Sequence, residues 1–144
     1  MIYTKMTKTA MKLCFEAHKN QKDKTGLPYV FHPFHLAEQM SDEATTIVAL
    51  LHDVVEDSDY TLEDLEKMGF GAEILDALRL LTHLPEVPYM EYVANIKKNP
   101  IARTVKLADL AHNSDMSRLD TITEYDNIRQ KKYLAAIELL NSTD

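Results

Sequence analysis

Apolar side chains recur at spacings of three and four along nearly the whole chain, as at Met6, Ala10, Leu13, Cys14 and Ala17, and again at Ile47, Leu50, Leu51 and Val54. That is the period of an α-helix with one face turned to a core, and the strict alternation of a half-buried strand is missing. Thr61 followed by Asp64 reads as an N-cap with an acidic first turn, and Asn99-Pro100 sets a cap residue ahead of proline at the first helical position. These signals predict helices near residues 4–20, 33–40, 43–56, 61–68, 72–82, 88–98, 100–115 and 127–141. The expectation is an all-α, single-domain bundle of about eight helices over residues 1–144. Lys22 to Phe31, with Gly26 and Pro28, is the one long polar connection in the first half, and loops of that kind carry binding groups more often than structural ones.

Composition supports this picture and narrows the partners. The 144 residues, 45% hydrophobic, are enough to bury a core without disulfides or a structural metal. Three glycines and five prolines leave no linker, and no internal repeat is visible. Sixteen lysines and arginines against 23 aspartates and glutamates give a net charge of −7, which speaks against a phosphate backbone as the main partner. A small anionic metabolite remains open, because a pocket can be locally basic or hold a metal in an acidic chain. The single cysteine, Cys14, reads as a small buried hydrophobe. No apolar run approaches the ~20 residues of a membrane span, and Lys5 and Lys8 interrupt the first residues. The expectation is a soluble, unexported, cytoplasmic chain with no nucleic-acid or membrane partner.

The chemistry concentrates around His52-Asp53. Read as part of one helix, the pair and Glu56 and Asp57 lie three and four residues apart, so that one imidazole and three carboxylates crowd neighbouring turns. Solvent, basic partners or a divalent cation would each relieve that repulsion. Two further residues stand out: His32, ahead of Pro33 at a helix start, and Asp109, within the run Thr104-Val105-Lys106-Leu107-Ala108-Asp109-Leu110. Mixed imidazole and carboxylate ligation suits Mn²⁺, Fe²⁺ or Zn²⁺.

The order His32, His52-Asp53, Asp109 resembles the HD-domain metal phosphohydrolases, which implies a helical bundle of the HD-domain type. Ala17-His18, Lys24-Thr25-Gly26-Leu27-Pro28-Tyr29 and His32-Pro33, then Leu51-His52-Asp53-Val54-Val55-Glu56-Asp57 with Thr61-Leu62-Glu63-Asp64-Leu65, then Val105-Lys106-Leu107-Ala108-Asp109 with His112-Asn113, resemble the hydrolase domain of the Rel/Spo stringent-response family in its small, stand-alone branch. The resemblance covers about Ala17 to Leu119. It implies that His32, His52, Asp53 and Asp109 hold one Mn²⁺, with Zn²⁺ or Fe²⁺ as alternatives, and that Glu56 and Asp57 orient and deprotonate the attacking water. It also implies Lys24 as a phosphate contact and Asn113 as a nucleotide contact. Tyr29 would stack or hydrogen-bond near the pocket, or serve only packing. Lys19 and Lys22 either extend a basic rim or are solvated. His18 and His112 read as supporting groups, His35 as a group orienting His32, and His83 as a helix-end cation.

The implied activity is removal of pyrophosphate from the 3′ position of ppGpp-like guanosine nucleotides. The alternatives are an HD phosphohydrolase of another nucleotide phosphate or pyrophosphate, and a non-catalytic nucleotide-binding module. A homodimer is left open. Departures from the family concern recognition: Asp23 stands where an arginine is common, Leu110 follows the metal aspartate, and Asp115 lies where a basic residue is usual. Asp23 predicts weaker attraction for a tetraphosphate, relieved by Asp23→Arg.

Overall fold

The computed structural model describes residues 1–143. Nine α-helices follow one another among them: α1 (Lys5–His18), α2 (Phe31–Glu38), α3 (Glu43–Leu51), α4 (Val54–Asp57), α5 (Leu62–Lys67), α6 (Ala72–Leu81), α7 (Tyr89–Lys97), α8 (Pro100–Asn113) and α9 (Glu124–Asn141), with a short 3-10 turn at Met116–Arg118 before the last. The only extended pairing described is a single bridge between Lys22 and Pro28. The all-helical expectation is met.

Helix α3 organises the bundle. Every residue from Thr45 to Leu51 is buried, as a helix must be when it is apolar on all sides. It packs against α1, α2, α6 and α8. Val48, Ala49, Leu50 and Leu51 are fully enclosed, and each leucine removed from water contributes about 1.5–3 kcal/mol. Asp42 starts this helix by accepting from the Thr45 amide at 2.8 Å. On the far side, α7, α8 and α9 pack on one another. Cys14 lies in the core, and burial, reinforced by Asp53, pushes its thiol up to about 12.

Two boundaries differ from the sequence reading. The helix expected over 43–56 ends at Leu51 and resumes at Val54, because the backbone leaves the helical region at Asp53 (φ −107°, ψ 2°). No glycine or proline causes this turn; Asp53 is engaged there by Tyr29 from the loop before α2. The last helix begins at Glu124 rather than 127. Thr123 and Asp126 form the same reciprocal cap that Thr61 and Asp64 form on α5.

Candidate metal centre and its two clefts

His32 in the first turn of α2, His52 at the C-terminal end of α3 and Asp109 in α8 converge, each offering a ligand atom within 4.8 Å of the others. All three are buried. The His52 Nδ1–H donates to the Ala49 carbonyl at 2.7 Å. Nδ1 therefore carries a proton, and Nε2 faces the cluster, buried and without a hydrogen-bond partner. Nε2 lies 3.1 Å from Asp53 Oδ2 and 3.5 Å from Asp109 Oδ1. His32 Nε2 lies 2.8 Å from the same Asp109 oxygen, and its Nδ1 lies 2.7 Å from His112 Nδ1. An inward ring nitrogen set against two carboxylates fits a divalent cation, which would take the place of its proton, with the outer nitrogens held by a carbonyl and a second imidazole.

The electrostatics agree. Burial pushes the Asp109 carboxyl up, yet the Lys106 ammonium, at 2.9 Å from Oδ2, and the two histidines outweigh it and hold Asp109 well below the ordinary range. For Asp53, burial is likewise outweighed by His52, and the carboxyl stays low. Burial alone would lower His52, but Asp53 and Asp109 raise it well above its ordinary value. The cluster thus draws positive charge to itself, which a cation satisfies. Tyr29 donates its hydroxyl to Asp53 Oδ2, and burial with the Asp53 charge raises the phenol so that it remains a donor.

Two clefts of about 290 Å³ each open beside the cluster. The first runs past Tyr29 and His32 to Lys24, Arg118, Arg129 and Tyr133. The second is lined by His52, Asp53, Glu56, His83, Tyr89, Lys106, Asp109 and Lys132. Asn113 lines both, and its amide donates to Asp109 Oδ1 at 3.0 Å.

A family model described as "HD domain" matches residues 10–134. The chain belongs to the HD-domain family. It is 36% identical over 135 residues to guanosine-3′,5′-bis(diphosphate) 3′-pyrophosphohydrolase MESH1 of Mus musculus, covering 83% of this chain and 74% of that protein. It is 38% identical over 109 residues to a GTP pyrophosphokinase of Streptomyces coelicolor, covering 67% of this chain and 13% of that protein. A guanosine-3′,5′-bis(diphosphate) 3′-pyrophosphohydrolase of Aquifex aeolicus is 35% identical over 116 residues. The match spans only 13% and 16% of the length of these two bacterial relatives. Among solved structures, a metazoan ortholog of SpoT described as hydrolysing ppGpp superposes with a TM-score of 0.79 at 25% identity, over 100% of this chain and 90% of that one.

Placing the sequence candidates on this HD domain gives an uneven result. His32, His52 and Asp109 meet, and Asp53 joins them through His52 and Tyr29. Glu56 and Asp57 part company. The broken helix turns Glu56 into the second cleft, where it accepts from the His83 amide, and turns Asp57 toward α1, where Gln21 donates to it at 3.2 Å. Asp57 lines a separate groove with Glu16, Lys19 and Gln21. Desolvation raises both carboxyls, with Asp53 adding to it in each case.

His112, not His35, meets the outer nitrogen of His32, while His35 packs on the His112 ring at 4.3 Å between centroids. His83 has a structural partner in the Val87 carbonyl, 2.7 Å away. Lys24 sits at the first cleft, 3.4 Å from Asp126, and Lys22 lines the same cleft.

Asp23 does more than carry a negative charge at the first cleft. Its Oδ1 accepts from the Thr25 amide, the Thr25 hydroxyl and the Leu27 amide, closing the loop around Gly26 (φ 86°). Its other oxygen lies 3.7 Å from Arg118. Asp115 is likewise a cap, accepting from the Ser117 amide at 3.0 Å. Arg118 and Arg129 add cations to those of the loop, with Asp126 steering Arg129 at 2.8 Å and Lys24 together. Arg118, Asp126 and Arg129 do not stand out locally in the sequence. The only signal was the Thr123-x-x-Asp126 cap, which places the start of α9 one turn earlier.

Proposed function

We propose that the chain is a metal-dependent phosphohydrolase that releases pyrophosphate from the 3′ position of guanosine 3′,5′-bis(diphosphate) or a close relative. The carrying observation is the buried, unpartnered His52 Nε2 facing Asp53 and Asp109. Its weight comes from the 36% identity to MESH1 over most of both proteins.

His32, His52, Asp53 and Asp109 would hold one divalent cation, with Mn²⁺ the proposed metal. When bound, such a cation lowers the pKa of water toward neutrality and offsets charge on a phosphoryl group. The remaining work falls to side chains. Glu56 reaches the second cleft on a turn fixed by the His83 amide and takes the proton from the water that attacks the 3′ phosphorus. The bond from that phosphorus to the ribose 3′ oxygen breaks, and the oxygen leaves with a proton. Asp57 supports this from the α1 side, where Gln21 anchors it. Lys24, Arg118 and Arg129 receive the nucleotide's other phosphates, Asn113 spans both clefts, and Tyr29 keeps Asp53 oriented.

Arg118 and Arg129 supply the charge that Asp23 removes, so a multiply charged guanosine nucleotide fits the first cleft. Metal-stripped protein reconstituted separately with Mn²⁺, Zn²⁺ and Mg²⁺ and assayed on a nucleotide panel tests the proposal. GDP and pyrophosphate from guanosine 3′,5′-bis(diphosphate) is the expected outcome. Absence of turnover on every 3′-phosphorylated nucleotide would overturn it.

A further inference from the structure

The second cleft holds a group that the mechanism above does not use. The Tyr89 hydroxyl is buried, lies in the wall of that cleft and has no hydrogen-bond partner among the described residues. Leaving a buried hydroxyl unpaired is costly, so such a group commonly awaits a ligand atom. Burial, opposed by Lys106 and reinforced by Asp109, pushes this phenol above its ordinary value, and it stays a donor in want of an acceptor.

Lys132 lies beside it. Its ammonium sits 4.5 Å from the centre of the Tyr89 ring and 5.6 Å from that of Tyr133, on an exposed arm that is the easiest part of the wall to displace. Lys106, by contrast, is committed to Asp109 at 2.9 Å. At the inner end of the cleft, His52, Asp109 and Glu56 surround the place where a phosphorus would react. Tyr89 and Lys132 line the same space. A donor and a mobile cation in that wall suit a second phosphate joined to the first.

We infer that Tyr89 and Lys132 form the subsite for the outer phosphate of the departing diphosphate, the tyrosine donating to a phosphoryl oxygen and the lysine neutralising its charge. This rests on the hydrolase reading and adds a basis for choosing a diphosphate over a monophosphate. The second cleft is then the leaving-group side, and the first holds the nucleoside.

Calorimetric titration of the Mn²⁺-loaded protein with inorganic pyrophosphate, and separately with inorganic phosphate, tests the subsite without turnover. Tyr89→Phe is expected to weaken pyrophosphate binding about tenfold and Lys132→Gln about threefold, with phosphate binding unchanged in both. Equal pyrophosphate affinity in wild type and both variants, or no pyrophosphate binding by the wild type, overturns the subsite whether or not nucleotides are hydrolysed. In kinetics, the ratio of kcat/KM for a nucleotide 3′-diphosphate over the 3′-monophosphate should fall about tenfold in Tyr89→Phe. Damage to the fold would depress both substrates alike and leave that ratio intact, a result that also counts against the subsite. Failure of the wild type on all nucleotides, with the calorimetric differences intact, would strike the hydrolase reading alone.

Discussion

The two clefts beside the metal centre are built on opposite principles. In the first, three of the cations are already tied to carboxylates: Lys24 and Arg129 to Asp126, and Arg118 to Asp23. Those ties fix the positions of flexible side chains before any ligand arrives, which reduces the ordering cost of binding. In the second, the polar groups that matter are unsatisfied or raised in pKa: His52 Nε2, the Tyr89 hydroxyl and the Glu56 carboxyl. The contrast separates recognition, which benefits from preset charge, from chemistry, which needs groups free to take a cation, a phosphoryl oxygen or a proton.

The largest expected effect is in the second cleft. Glu56→Gln keeps the size of the side chain but cannot accept a proton at neutral pH, so kcat should fall by about 10²–10⁴ with metal content unchanged. Near-normal turnover with bound metal would move the proton acceptor elsewhere, with Asp57 the first group to test by the same substitution. On the other side, Arg129→Ala should raise KM about tenfold at low salt and leave kcat within about twofold, and added salt should shrink the difference. If kcat and KM changed together, the two clefts would not divide the work as described.

How much of this was legible in the sequence follows the same division. His32, His52 and Asp109 could be found because an imidazole or a carboxylate on an apolar helix is costly unless something pairs it. The helices themselves follow from apolar spacing, which reports burial directly. The break after α3 could not be read that way. It contains neither glycine nor proline, and it coincides with the contact between Asp53 and Tyr29, which exists only once the bundle has formed. For the same reason a helical reading of 52–57 gathers Glu56 and Asp57 into one cluster that the fold divides. The first cleft was hidden by distance, since Lys24 and Asp126 are 102 residues apart in the chain. The loop-closing role of Asp23 was hidden because its charge is visible in the sequence, whereas the two amides and the hydroxyl it caps are not.

Asp23 also provides the next test. Because it closes the loop, Asp23→Arg should raise KM by severalfold rather than lower it. An improved KM would restore the view that its charge repels the nucleotide.

The smallest effect concerns stability. Desolvation alone would raise the Asp23 carboxyl, but the Thr25 hydroxyl, the Leu27 and Thr25 amides and Arg118 outweigh it and hold the carboxyl below its ordinary value. A carboxyl lowered in the folded state stabilises above its unfolded pKa, and the contribution is lost as pH falls through the folded one. Asp23→Ala should therefore cost about 1 kcal/mol in chemical denaturation at pH 7. The difference from wild type should shrink as the pH is taken below the ordinary aspartate range. A difference independent of pH would show that the loop is held by its backbone alone.

The central claim is that the buried histidines and aspartates form a divalent-metal site, and titration of chelator-stripped protein with Mn²⁺ tests it most directly. Wild type is expected to take up one equivalent, and His52→Ala, with its helical circular dichroism retained, to bind at least about a hundredfold more weakly. Unchanged Mn²⁺ affinity in His52→Ala would contradict the account.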